Sequence, residues 1–374
     1  MKKIVFGITN LNLGGAERVL VDLANKLSEK YDITIFTLYG QGEFEKALSQ
    51  NVKLVNMYNF KFEDLSKVKK ILLPLRIFFA SKSIYKKYIQ DKFDVDISFL
   101  EGPITRIFAT KNKKTKKIVW VHNDISLVFG KTLKSKIKIA LNKSLYKKYE
   151  QLIFVSKDNL EKFNKVYNIE ISKKVIYNYI DRENVAKKAM IEDDKDLGKL
   201  SNDIFNFVTV ARLVEQKAID RLINVHSKLI NDGLRHKIFV VGTGPLKEKL
   251  EEQIEKLNVK DTFILLGKKE NPYPYIKKAD YFCLLSYFEG YGMVLEEAKI
   301  LGKNIAITDT AAREAIEGYE KAIIFENIED GIYEGMKNIL LNKETIEKND
   351  KGNNDYDNEN ILKEIEEIIW KYQL

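Results

Sequence analysis

The feature that most constrains this 374-residue chain is its rhythm. Short apolar runs at 3–9, 33–38, 52–57, 95–100, 118–121, 152–155 and 175–177 alternate with stretches whose apolar residues recur at helical spacing. In the first such stretch, 16–30, Val19, Leu20, Leu23, Ala24 and Leu27 share one face. After a charged, weakly apolar stretch the rhythm restarts with runs at 206–214, 237–241, 262–266, 281–286, 305–308 and 322–325. Strand-helix alternation predicts parallel sheets covered by helices on both faces, and one chain of this length holding two such series predicts two α/β domains. The expected boundaries are 1–182 for the first domain, 183–204 for a linker, 205–347 for the second, and 348–374 for a polar segment with a last helix at 361–372.

Composition narrows the classes. Three His and one Cys leave little material for a metal site, and Cys283 inside an apolar run reads as a buried, inert thiol. The longest membrane-like run, 71–80, is interrupted by Pro74 and Arg76 and falls far below a spanning length. One Cys cannot form an internal disulfide, which fits a reducing cytoplasm, and the start of the chain reads as a first strand rather than a secretion signal. The net charge of +9 divides unevenly, because residues 1–190 hold 37 Lys+Arg against 19 Asp+Glu. Basic segments at 61–92 and 125–149 read as helices suited to an anionic membrane surface, or as lysine-rich solvent faces. Peripheral contact with the inner face of the plasma membrane would follow from the first reading. No nucleic-acid motif interleaves with the charge, so nucleic acid is not expected as a partner. Asp94-Val95-Asp96 looks like a metal-binding pair but is read as a solvated strand edge.

Candidate site residues cluster where strands give way to turns. Gly14 and Gly15 follow the first strand, at the place where open α/β sheets bind ligands. His122, with Asn123 and Asp124, follows the fifth. Glu101-Gly102-Pro103 reads as a strand-to-helix turn with Pro at the helix start. In the second half, Arg212 and Lys217 flank a strand end and a helix start, a setting that favours a diphosphate. The stretch Glu289-Gly290-Tyr291-Gly292, with Glu297 two helical turns on, is strand, glycine turn, helix; its backbone N–H groups suit an anion or a hydroxyl-rich ligand.

Taken in order, Gly14-Gly15, His122, VIYNYID at 175–181, ARLVEQKAIDRLI, VVGTGP and the E-x7-E of Glu289 and Glu297 resemble the retaining glycosyltransferases of the GT-B fold, family 4. The likeness runs over nearly the whole chain and is strongest in the second half. It implies two doubly wound Rossmann-like domains facing a cleft, and transfer of a sugar from a nucleotide-sugar, a UDP-sugar by preference, without metal or other cofactor. By motif position Arg212 and Lys217 would hold the diphosphate, Glu297 the ribose, and Glu289 the donor sugar. Gly290, Tyr291 and Gly292 would offer N–H groups, Gly15 would let backbone approach the phosphate, and His122 would lie near the sugar. Glu289 and His122 are the expected catalytic residues, and a lipid-linked or cell-surface glycan, of capsule or lipopolysaccharide type, is the expected acceptor. The chain departs from the family where Pro-Asn-Gly is replaced by Tyr177-Asn178-Tyr179, and Gly-Arg by Ala211-Arg212. Competing readings are a GT-B sugar-nucleotide epimerase, a non-catalytic sugar-nucleotide-binding subunit, and an NAD-binding oxidoreductase resting on Gly242-x-Gly244, where the third glycine is missing.

Overall fold

The computed structural model describes residues 1–12, 14–122, 133–343 and 358–370, with the backbone alone for 133–138. Leu13 of the first glycine turn, Asn123, Asp124, the start of the second basic segment, the polar stretch 348–357 and residues 371–372 lie outside the described residues. The chain forms two compact units, Met1–Ile180 joined by Asn358–Leu374, and Asp181–Asp357.

Unit 1 is built on β1 (Lys3–Ile8), β2 (Asp32–Tyr39), β3 (Lys53–Tyr58), β4 (Val95–Ser98), β5 (Lys116–Val121), β6 (Gln151–Phe154) and β7 (Ser172–Val175). They form one parallel sheet in the order β3-β2-β1-β4-β5-β6-β7. The central strands are apolar on both sides because helices cover both faces; every residue of β5 is buried. At Gly7 in β1 an added Cβ would lie 2.6 Å from the Phe108 ring, so the glycine lets the helix Pro103–Phe108 pack against the strand. Pro103 stands at the start of that helix, as expected of the Glu101-Gly102-Pro103 turn.

Two local readings need correction. The seventh strand precedes its apolar signal: β7 is the edge of the sheet, Ser172–Val175, and exposes part of its polar sequence, while Ile176 and Ile180 are buried just beyond it. Asp96 is no solvated edge. It is fully buried, accepts from Tyr85 Oη at 2.6 Å and pairs with Lys117 Nζ at 2.9 Å, and that ammonium also donates to the Phe108 carbonyl at 2.9 Å. Such a pair persists in a core only when added hydrogen bonds support it, here those of Tyr85 and the Phe108 carbonyl; the other carboxylate oxygen, Asp96 Oδ1, is buried without a hydrogen-bond partner among the described residues. Asp94 is exposed and accepts from the Lys3 N–H at 2.8 Å.

The helix Asn358–Trp370 belongs to unit 1. It buries Ile361, Ile365, Ile368 and Ile369, and its last carbonyls meet cations: Lys116 Nζ donates to Ile368 O, and Lys2 Nζ to Ile369 O at 3.2 Å. Lysines at a helix C-terminus satisfy orphan carbonyls and oppose the helix dipole. Trp370 Nε1 donates to Tyr31 Oη at 2.8 Å.

Unit 2 holds β8 (Phe205–Val210), β9 (His236–Val241), β10 (Phe263–Gly267), β11 (Tyr281–Leu284), β12 (Asn304–Thr308) and β13 (Ala322–Phe325). The parallel order is β10-β9-β8-β11-β12-β13. Each unit is therefore a Rossmann-like α/β layer structure, the architecture of the GT-B class. The stretch 183–204 is built onto unit 2: Leu197 and Leu200 enter a cluster with Phe239 and Tyr275, and Lys269 pairs with Asp194 at 2.8 Å and Asp196 at 2.6 Å. Cys283 is buried in β11, and burial pushes its thiol pKa up. Two histidines are linked below the sheet. His226 Nδ1 lies 2.8 Å from His236 Nε2, and His236 Nδ1 lies 2.8 Å from the Leu234 carbonyl. That carbonyl can only accept, so His236 Nδ1 carries a proton and its Nε2 accepts from His226.

Candidate functional site

In both units the strand order reverses beside the first strand, between β1 and β4 and between β8 and β11. Open α/β sheets take ligands in the crevice outside the carboxyl ends at such a point.

In unit 2 the chain leaving β8 does not continue as strand to 214. Ladder pairing with β9 ends at Val210 and Val241, and the chain turns off as a loop with Arg212 exposed. Loop and glycine turn are stitched together: the Ala211 N–H donates to Val241 O at 3.0 Å, Leu213 N–H to Thr243 O at 3.1 Å, and Leu246 N–H to Leu213 O at 3.1 Å. A Cβ at Gly244 would lie 2.4 Å from the Leu213 carbonyl oxygen, and one at Gly242 1.9 Å from that of Ala211. These glycines exist for backbone-to-backbone approach that seats the Arg212 loop, which accounts for Gly-x-Gly without a dinucleotide.

Lys217 ends the short turn Glu215–Lys217, and its ammonium pairs with the Glu289 carboxylate in the loop after β11. The two loops are joined again by the Tyr287 N–H to Gln216 O at 2.9 Å and by Gln216 Nε2 to Phe288 O at 3.1 Å. Among the described residues the Arg212 side chain makes no hydrogen bond or ion pair, so one cation of the pair is free to meet a ligand and the other is held by a carboxylate. Glu289 also accepts from the Gly290 N–H at 3.3 Å. Gly292 has φ +72°, a conformation that favours glycine, and caps the start of the helix Met293–Ile300. Tyr291 is buried; its hydroxyl donates to Glu296 at 2.7 Å, and burial raises the Glu296 pKa. Glu297, one residue further, is half-buried and accepts from Tyr273 Oη at 3.0 Å.

Three supporting residues escaped sequence reasoning. Arg221 is buried and donates to Leu285 O at 3.0 Å, to Asn327 Oδ1 at 2.9 Å and to Asn327 O at 3.2 Å, with its guanidinium 4.4 Å from the Tyr287 ring. Asn327 Nδ2 in turn donates to Tyr287 O at 2.8 Å. Tyr273, 3% exposed, is the third. The available signal was an arginine set among the apolar positions of the helix Ile219–Asn231, and a tyrosine at the start of the short helix Tyr273–Lys278.

In unit 1, Gly14 and Gly15 stand after β1 at the start of the helix Gly15–Leu27. A Cβ at Gly15 would meet nothing within 4 Å, while one at Gly14 would strike the Glu17 carboxylate. His122 follows β5, with its ring 4.7 Å from that of Phe99. Burial lowers its pKa to about 3 against the opposing effect of the Phe99 carbonyl, so the imidazole is neutral at pH 7. Its Nε2 is buried and has no hydrogen-bond partner among the described residues. Among those residues no three His, Cys, Asp or Glu side chains converge as a metal site.

With this geometry in view, comparison with known proteins gives one consistent answer. The "Glycosyltransferase Family 4" model matches residues 13–184 and the "Glycosyl transferases group 1" model matches 191–355. The chain belongs to the family 4 glycosyltransferases of the GT-B fold. It is 29% identical over 360 residues to the Campylobacter jejuni N-acetylgalactosamine-N,N'-diacetylbacillosaminyl-diphospho-undecaprenol 4-alpha-N-acetylgalactosaminyltransferase, covering 91% of this chain and 90% of the other. A second Campylobacter jejuni relative, an alpha-1,4-N-acetyl-D-galactosaminyltransferase named for a PP-undecaprenol saccharide, is 29% identical over 300 residues, 80% of this chain and 77% of that one. Among solved structures, Anabaena HepE in complex with UDP and glucose superposes with a TM-score of 0.75 over 99% of each chain at 17% identity, a likeness of fold.

Proposed function

We propose that this protein is a retaining, metal-independent transferase that moves a hexose or N-acetylhexosamine from a UDP-sugar to a lipid-linked glycan in cell-surface polysaccharide synthesis. The observation that carries the reading is the Lys217–Glu289 pair at the carboxyl ends of β8 and β11, beside the free Arg212. Two cations and a carboxylate at a switch point match the two ends of a nucleotide-sugar, an anionic diphosphate and a neutral, hydroxyl-rich sugar. On arrival of the diphosphate, Arg212 and Lys217 bind its oxygens through charge-assisted hydrogen bonds worth about 1.5–3 kcal/mol each. Glu289, released from Lys217, accepts from sugar hydroxyls, and Glu297 accepts from the ribose. Catalysis is then positioning of the donor and stabilisation of the charge left on the diphosphate.

Kinship with two N-acetylgalactosaminyltransferases whose names carry undecaprenol-linked saccharides supports the N-acetylhexosamine donor and the lipid-linked acceptor. The test is incubation of the protein with UDP-N-acetylgalactosamine, UDP-N-acetylglucosamine or UDP-glucose, a diphospho-undecaprenol saccharide and EDTA, followed by mass spectrometry and NMR of the product. An α-linked product with EDTA present is expected. Formation of an epimerised nucleotide-sugar without acceptor, or binding with no turnover, would replace this reading by the epimerase or the non-catalytic subunit.

A further inference from the structure

The helix Lys67–Tyr88 of unit 1 carries two apolar stripes instead of one. Ile77, Ile84 and Tyr85 are buried, and Leu73, Ala80 and Tyr88 pack against the same core. Facing away are Val68, Ile71, Leu72, Leu75, Phe78 and Phe79, between 44% and 81% exposed. With about 3.6 residues per turn, positions 68, 71, 72, 75 and 79 fall on one line, roughly opposite the line through 73, 77, 80 and 84. An ordinary surface helix would be polar there. Most of the cations of this helix border the stripe, with Lys69, Arg76 and Lys87 on one flank, Lys67 on the other, and Lys82 and Lys86 continuing the outward line past Phe79; Lys70 lies toward the core side and donates to the Glu63 carbonyl at 2.7 Å. The helix holds seven Lys and Arg and no Asp or Glu. Arg106, from the neighbouring helix, lies 3.9 Å over the Phe78 ring and extends the basic margin.

We propose that this stripe is the face by which unit 1 docks on an anionic lipid bilayer, with the helix lying in the headgroup layer, the six apolar side chains directed into it and the lysines beside lipid phosphates. Charge complementarity selects the occupant, since an apolar line bordered by cations, on a helix without an acidic residue, is the pattern of an interfacial helix at an anionic surface. No described helix is long and apolar enough to cross a membrane, so the contact is parallel to the surface. The general basicity of the first half thereby becomes a defined face, which rests on the proposed function only in giving its lipid-linked acceptor a surface on which to be met.

The test is sedimentation of the full chain with vesicles of phosphatidylcholine alone and of phosphatidylcholine with phosphatidylglycerol. Wild type binds the anionic vesicles alone, and less at high salt. The triple variant Ile71→Ser, Leu75→Ser, Phe79→Ser lowers the partition coefficient at least about tenfold while its melting temperature is kept, because these side chains are exposed already. A solvatochromic dye on Phe79→Cys shifts to the blue with anionic vesicles; the native Cys283 is buried and does not compete for label. Unchanged binding by the triple variant, equal binding to neutral vesicles, or wild-type self-association abolished by the same substitutions would overturn the proposal, the last in favour of a second copy. Vesicle binding is read without substrate, so failure here and failure of the transferase reading are separate results.

Discussion

Lys217 and Glu289 are 72 positions apart and meet at the centre of the candidate site. Under the proposed function a diphosphate takes Lys217 from Glu289, which would set the two residues against each other in nucleotide binding and have them cooperate in transfer. Glu289→Gln keeps the shape and removes the charge. It should leave UDP affinity unchanged or tighter by calorimetry and lower the transfer rate about a hundredfold, the scale of losing one placed polar group. Tyr273 holds Glu297 by the hydrogen bond from its hydroxyl. Tyr273→Phe should raise the KM for the donor about three- to tenfold, the worth of one hydrogen bond, with kcat nearly unchanged; an equal fall in kcat would contradict a positioning role. His122 is neutral across the working range, so a pH–rate profile between 5 and 8 should show no titration that His122→Gln removes.

At the scale of elements, the His226–His236 link gives unit 2 an acid limit. Burial depresses both imidazoles, His226 to about 2 and His236 to about 4, from 6.5. The unfolded chain therefore takes up protons first. The stability this link contributes is whole above about pH 6.5 and is lost as pH falls toward 4, by at most about 1.4 kcal/mol per pH unit for each ring. Urea unfolding at pH 7 and pH 5 should show a smaller difference in the His226→Leu, His236→Leu variant than in wild type. Elements were also what the sequence displayed best. Buried strands such as KKIVWV and HKIFVV announce themselves by the unbroken apolar runs IVWV and IFVV, because parallel strands covered on both faces need apolar residues on both sides. β7 was misplaced because an edge strand with one neighbour tolerates Ser-Lys-Lys, and the apolar signal marks what is buried beyond it. Asp96 read as solvent-exposed because its neutralising partner, Lys117, is 21 residues away. The same applies to the site: glycine turns and helix starts are local and legible, whereas Arg221 gripping Asn327 across 106 residues exists only in the folded chain.

At the scale of the molecule, the two units divide the chain unequally in kind. Unit 2 is one uninterrupted stretch, and unit 1 is completed by the helix Asn358–Trp370. Removing residues 358–374 would expose the surface under four isoleucines, each contributing about 1.5–3 kcal/mol when buried. It should lower the melting transition of unit 1 by many degrees and leave that of unit 2 in place in differential scanning calorimetry. The same arrangement sets an order of events during synthesis. Residues 181–357 can close into their own sheet while the ribosome is still at work, since domains fold as units when their chain is available. The sheet of unit 1, translated before unit 2, must wait with the surface for that helix uncovered until residues 358–370 emerge. The sheet of unit 1 is thus started before unit 2 and completed after it, and the lysines at positions 2 and 116 are the latch that closes it.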